Sequence, residues 1–149
     1  RVGEKLLGGK MHLDVAAARK AIEEKLAVKL NMTVEEVADV KTAVSEAVTN
    51  AIIHGYESRI EKITLRCKTC GDTLYIEIED HGKGMEDVKK AMEPLFTTRP
   101  ELDRSGMGFS FMEAFMDQVE VSSKPGKGTI VKMQKTIGKG RKVWTTQSL

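Results

Sequence analysis

The apolar positions of this chain change their spacing several times, and each change marks an element. Ala18, Ile22, Leu26 and Leu30 recur on one face of a helix predicted over residues 16–30. Asn31-Met32 interrupts it, and Thr33 with Glu36 then forms a T-x-x-E capping box, the signature of a new helix start. The second helix is predicted to run to about Tyr56, with Gly55 as its stop. At about 100° per residue, Val37, Val40, Val44, Ala47, Val48, Ala51 and Ile52 line up as its core stripe. Glu46 and Asn50 fall on the opposite side, one turn apart. Ala43 and Ile53 flank them where a solvated face carries Lys and Glu, so this face is predicted to be covered as well.

Past this helix the period falls to two. Lys62 to Thr69 and Leu74 to Asp80 alternate as strands, joined by a hairpin at Gly71-Asp72. Asp80 shares the parity of Ile76 and Ile78, so its carboxylate points to the apolar side at the strand's end, where an acid needs a partner. A short helical piece, Met85 to Met92, precedes the run PLFTTRPELDRSGMG, and so long a connection reads as a lid. A buried helix over Phe109 to Asp117 follows, then a strand over Gln118 to Lys124, a turn at 125–128 and a final strand over Thr129 to Thr136. Residues 1–10 are Gly-rich without a period and are expected to be a mobile lead-in, with Met11 to Val15 as a candidate first strand. The domain is expected over 11–137, and 138–149 reads as a basic, polar, solvated tail.

Composition narrows the function classes. A chain of 149 residues makes one domain, burying roughly 68–70% of its unfolded surface. With 40% hydrophobic and 31% charged residues and no apolar run of membrane-spanning length, no membrane partner is expected. Lys plus Arg is 24 against 22 Asp plus Glu, and a net +2 is too small to mark direct nucleic-acid binding. Cys67 and Cys70 form a lone C-x-x-C without the second ligand pair that zinc requires, so reduced thiols near a hairpin end and a cytoplasmic setting are expected.

Four short features then recur in an order that builds a nucleotide pocket: E-x-x-x-N on a helix, D-x-G-x-G after a strand, G-x-G opening a second helix, and G-T opening a strand. Each alone also reads as a helix-surface pair, a tight turn or a loop end; their combination is specific. A carboxylate at the end of an apolar strand is an acceptor for the amino group of adenine, which suits Asp80. Gly82 and Gly84 let the backbone approach a base closely. Gly106-Met107-Gly108 presents N–H groups and a helix start to phosphates, with Arg104 and Ser105 adding a cation and a hydroxyl. The Asn50 amide oxygen suits Mg2+, and Glu46 is placed to accept a proton from an attacking hydroxyl. No G-x-x-x-x-G-K-[ST], H-R-D or D-F-G occurs, which disfavours P-loop NTPases and the common protein-kinase fold.

The strings EAVTNAIIHGY, DHGKG, PLFTTRPELDRSGMGF and GT resemble the motif boxes of the GHKL (Bergerat-fold) ATPases, and the long lid string resembles the anti-sigma kinases of spore-forming bacteria within them. The resemblance covers about residues 33–136. It implies an α/β two-layer sandwich, helices on one face of a mixed β-sheet, binding ATP or ADP with Mg2+. It further implies a homodimer that holds a sporulation sigma factor inactive and phosphorylates a serine on an anti-anti-sigma partner. By matching position, Glu46 is the base, Asn50 the Mg2+ ligand and Asp80 the adenine acceptor. Gly82, Gly84 and Thr129 line the base, Arg104, Ser105, Gly106, Met107 and Gly108 face the phosphates, and Thr97 and Thr98 lie in the lid. Arg19 and Lys20 are both candidates for the family's basic partner-contact residue. The alternative is a nucleotide-gated sigma-binding module without significant turnover. The catalytic piece of a two-component histidine kinase is disfavoured, because His12, His54 and His81 are the only histidines and no room remains for a phosphoacceptor hairpin.

Overall fold

The computed structural model describes residues 5–7, 10–11, 15–55, 62–93 and 108–138. In chain order these form β1 (Lys5–Leu7), β2 (Lys10–Met11), α1 (Val15–Ala21) continued by a π-helical segment (Ile22–Ala27), and α2 (Val34–Asn50) continued by a second π-helical turn (Ala51–Gly55). β3 (Ile63–Cys70), β4 (Thr73–Asp80), α3 (Val88–Ala91), α4 (Gly108–Phe115), β5 (Gln118–Lys124) and β6 (Gly128–Thr136) follow.

The sheet runs in the order β1-β3-β4-β6-β5, with β2 also on β3. Side chains of one parity, including Leu65, Ile76, Ile78, Val131 and Met133, join Ile22, Val40, Val44, Val48 and Met112 of the helices in a single core. On the other face polar pairs take over: Arg66 reaches Glu77 at 3.1 Å and Glu79 at 3.0 Å, and Lys68 lies over the Tyr75 ring. The expected two-layer α/β architecture is therefore present. The sheet is not mixed among the described strands, however, since every pairing is antiparallel. The crossover through α4 does bring β5 back parallel to β4, but β6 inserts between them and turns both contacts antiparallel.

Two boundaries at the start differ from expectation. Residues 5–7 and 10–11 are not a lead-in: they pair with β3 in one register, Lys5 opposite Thr69 and Lys10 opposite Thr64. An edge strand is held by backbone hydrogen bonds and needs no side-chain period, so Gly8-Gly9 hid it. Of the candidate strand over 11–15, Met11 lies in β2 and Val15 opens α1, while 12–14 lie outside the described residues. The tail beyond 138 lies outside them too.

The first helix widens after Ala21 because its apolar positions, Ala18, Ile22 and Leu26, are each four residues apart and all buried. In an α-helix of 3.6 residues per turn such a stripe drifts around the cylinder, and the wider i→i+5 turn brings it back into line. α2 keeps its capping box: the Glu36 N–H donates to Thr33 Oγ1 at 3.1 Å, and the Thr33 N–H donates to Glu36 Oε1 at 2.9 Å. Glu36 also accepts from the Gly138 N–H at 2.6 Å, and Asp39 lies 3.8 Å from Lys135. These contacts tie the start of α2 to the finish of β6. No helix among the described residues is long and apolar enough to cross a membrane.

Cys67 and Cys70 sit on opposite faces of β3, about 10 Å apart along an extended strand, too far to bridge or to share a ligand. Burial pushes the Cys67 thiol up to about 12.

Thr33→Ala is expected to lower the unfolding free energy by about 1 kcal/mol. Glu36→Ala is expected to cost more, since it strips partners from both the α2 cap and Gly138. Urea denaturation of both variants checks this; equal costs would detach Glu36 from the β6 terminus.

Candidate functional site

α2 starts beside residues 135–138, and its 17 residues span about 25 Å, so it ends at the opposite end of β6. There the π-helical turn after Asn50 packs on β4 and β6. In β4–β6 register that end is defined by Asp80 opposite Thr129. α4 packs along α2 with its C-terminal end tied at the far side, where Lys135 Nζ donates to the Phe115 carbonyl at 2.8 Å and the Asp117 N–H donates to the Gln134 carbonyl at 2.9 Å. Its N-terminus, Gly108, is thereby directed toward the Asp80 end. The Asp117 bond also explains why α4 stops at Phe115 rather than at the expected Asp117.

Directly opposed residues in a sheet share a face. Asp80, Thr129 and Ser123 are opposed in turn across β4, β6 and β5, so they form one polar row on the helix-covered side. The next rows inward are Ile78–Val131–Val121 and Ile76–Met133–Val119, all apolar. The polar row is thus the rim of the core. Asp80 is only 5% exposed, and its Oδ1 accepts from the Gly82 N–H at 2.9 Å. Burial pushes its carboxyl above the ordinary carboxylate range, while the backbone amides of Gly82 and Thr129 and the nearby His81 favour the charged form.

Two close backbone approaches fix this corner. Gly128 holds φ 100°, and a Cβ there would land on the Asp80 carbonyl oxygen and 2.7 Å from His81 Cα. Gly84 holds φ 73°, and a Cβ there would strike the Lys124 carbonyl. Between them the Gly126 N–H donates to the Lys83 carbonyl at 2.6 Å, and the Met85 N–H donates to Ser123 Oγ at 2.8 Å. Met85 is thereby drawn out of the helix expected over 85–92, which begins instead at Val88 behind an Asp87 cap.

Asn50 is the last residue of α2, and its Nδ2 is buried without a hydrogen-bond partner among the described residues. A buried amide normally finds one, so this donor stands out as a candidate contact point. Glu46 lies one turn earlier and is half-buried beside fully buried Ala43, in keeping with a covered second face. The structure therefore gathers Asn50, Asp80, Gly82, Gly84 and Thr129 at one end of the domain, with Glu46 one turn behind Asn50 on α2. Thr97, Thr98, Arg104, Ser105, Gly106 and Met107 lie outside the described residues, and Gly108 opens α4. Ser123 is absent from the set read from sequence; the parity of Val119 and Val121 is the signal that carries it to the same face.

Residues 12–135 match the family described as the histidine kinase-like ATPase domain. The chain is 60% identical over 112 residues to the anti-sigma F factor of Thermoanaerobacter sp. strain X514, covering 75% of this chain and 78% of that one. It is 54% identical over 121 residues to the anti-sigma F factor of Clostridium botulinum strain Eklund 17B, covering 80% and 84%. Among solved structures, the RsbU and RsbW domains of a Mycobacterium tuberculosis protein align with a TM-score of 0.62 at 18% identity, over 89% of this chain and 32% of that one. The blue-light activated histidine kinase of Erythrobacter litoralis aligns with a TM-score of 0.58 at 24% identity, over 74% and 33%. At these identities the two structures bear on the fold alone, which they share.

A carboxyl raised by folding binds its proton more readily folded than unfolded. Its stabilising contribution is full below the unfolded value and is lost as pH rises through the raised one. Wild type is therefore expected to gain stability relative to Asp80→Asn as the pH falls from about 7 to about 4. Urea denaturation across that range checks it, and a gap that moves the opposite way would contradict the burial argument.

Proposed function

The chain belongs to the anti-sigma F factors, within the histidine kinase-like ATPase family, and from that premise we propose an ATP-dependent serine-protein kinase that also holds a sporulation sigma factor inactive. Its phosphoryl acceptor in this reading is a serine on an anti-anti-sigma partner. The observation that carries the proposal is the placement, at one end of the sheet, of a buried carboxylate held by backbone amides and a buried side-chain amide without a hydrogen-bond partner among the described residues.

Asp80 accepts from the exocyclic amine of adenine, with Gly82, Gly84 and Thr129 close around the base. The corner that holds Asp80 is rigid on both flanks, so the acceptor is oriented before the base arrives. Phosphates lie toward the start of α4 in this reading; Arg104, Ser105, Gly106, Met107 and Gly108 are assigned cation, hydroxyl and N–H donor roles by sequence, and Thr97 and Thr98 belong to the string read as a lid. Mg2+, when bound with the nucleotide, supplies positive charge to the phosphate oxygens. Asn50 fits it by chemistry: its Oδ1 is the hard oxygen donor such a cation takes, and its buried Nδ2, without a hydrogen-bond partner among the described residues, supports the reading. Glu46, one turn away, takes the proton of the attacking serine hydroxyl on its carboxylate. A homodimer, which the resemblance of the motif strings implies, completes the reading, and two free thiols support a cytoplasmic setting.

Phosphoryl transfer from ATP to an anti-anti-sigma protein tests the enzyme half. Glu46→Ala is expected to reduce transfer by about 100-fold or more while ADP affinity stays within about threefold. Asp80→Asn is expected to weaken ADP binding by about tenfold to hundredfold. Wild type that binds Mg2+·ADP and sequesters a sigma factor without any transfer would leave a nucleotide-gated binding module. Unchanged ADP affinity in Asp80→Asn would remove Asp80 from the site.

A further inference from the structure

Ser123 closes the polar row, and its hydroxyl has three neighbours. The Met85 N–H lies at 2.8 Å, the Gly128 carbonyl oxygen at 3.0 Å and Thr129 Oγ1 at 2.8 Å. A hydroxyl carries one proton and two acceptor lone pairs. The Met85 N–H is a donor only and occupies one lone pair; the Gly128 carbonyl is an acceptor only and takes the proton. One arrangement remains for the third contact: the Thr129 hydroxyl donates to the second lone pair of Ser123. Having given away its only proton, Thr129 Oγ1 presents lone pairs alone on its other side. Next in the row is the Asp80 carboxylate, which when ionised is also acceptor-only.

We infer that Ser123 is a positioning residue that sets base specificity: by taking the Thr129 proton it turns the rim of the site into an all-acceptor surface. Such a surface accepts both N–H groups of an amine at purine C6 and rejects a purine that puts a C6 carbonyl oxygen in the same place. Thr129 and Asp80 are both buried, so a carbonyl pressed against them would lose its water and gain no donor. Without Ser123 the Thr129 hydroxyl is free to rotate and donate, and a guanine oxygen becomes acceptable. This inference rests on the reading above, that an adenine nucleotide occupies the row.

Calorimetric titration of the full chain with Mg2+·ADP and with Mg2+·GDP tests it. The preference for ADP is expected to fall by about tenfold in Ser123→Ala and to survive in Ser123→Thr, which keeps the hydroxyl. Thr129→Val alone is expected to lower the same ratio, and adding Ser123→Ala in that background to change it no further, since no hydroxyl remains to orient. Equal weakening of both nucleotides in Ser123→Ala, or a wild-type ratio in Thr129→Val, would overturn the specificity role while leaving the nucleotide site standing. Wild type that binds neither nucleotide would overturn the site and this inference together.

Discussion

The register between β4 and β6 is the constraint on which the rest of this molecule depends. Setting Asp80 opposite Thr129 and Ile78 opposite Val131 makes one face of the sheet apolar up to its last row and polar at that row. A slip of one residue would send the carboxylate to the outer face and break the core together with the site. Gly128 guards this register: its backbone passes so close to the Asp80–His81 peptide that no side chain fits between them.

The same layout gives the two ends of α2 different surroundings. At its start, Thr33 and Glu36 cap the helix, and Glu36 and Asp39 reach Gly138 and Lys135 through a backbone amide and an ion pair. At its end, Asn50 carries a buried donor without a hydrogen-bond partner among the described residues, just before the helix widens into a π-helical turn. Wider turns of this kind are frequent at functional sites. The burial of Asp80 tells the same story, since its desolvation opposes the charged form in the isolated chain.

Much of this was legible in the chain itself. Parity alone sends Asp80 inward, and the Thr33–Glu36 spacing marks the α2 cap that forms. The flanking of Glu46 and Asn50 by small apolar residues announces a covered second face, and Ala43 is fully buried. What escaped depends on partners distant in sequence. The β1–β2 edge is held by main-chain bonds to a strand more than fifty residues away, and its side chains carry no period. Antiparallel neighbours in place of a mixed sheet follow from β6 inserting between β4 and β5, a topological choice that no local pattern records. Ser123 looks like one more polar residue near a turn until the β5–β6 register sets it beside Thr129.

The most direct measurement of the central claim is amide-resolved NMR during titration with Mg2+·ADP. A nucleotide seated on the polar row shifts the backbone amides of Gly82, Met85 and Thr129 and the side-chain amide of Asn50, and leaves those of Gly71 and Asp72, at the other end of β4, in place. Shifts centred on the Gly71-Asp72 turn, or an Asn50 amide that does not respond, would contradict it.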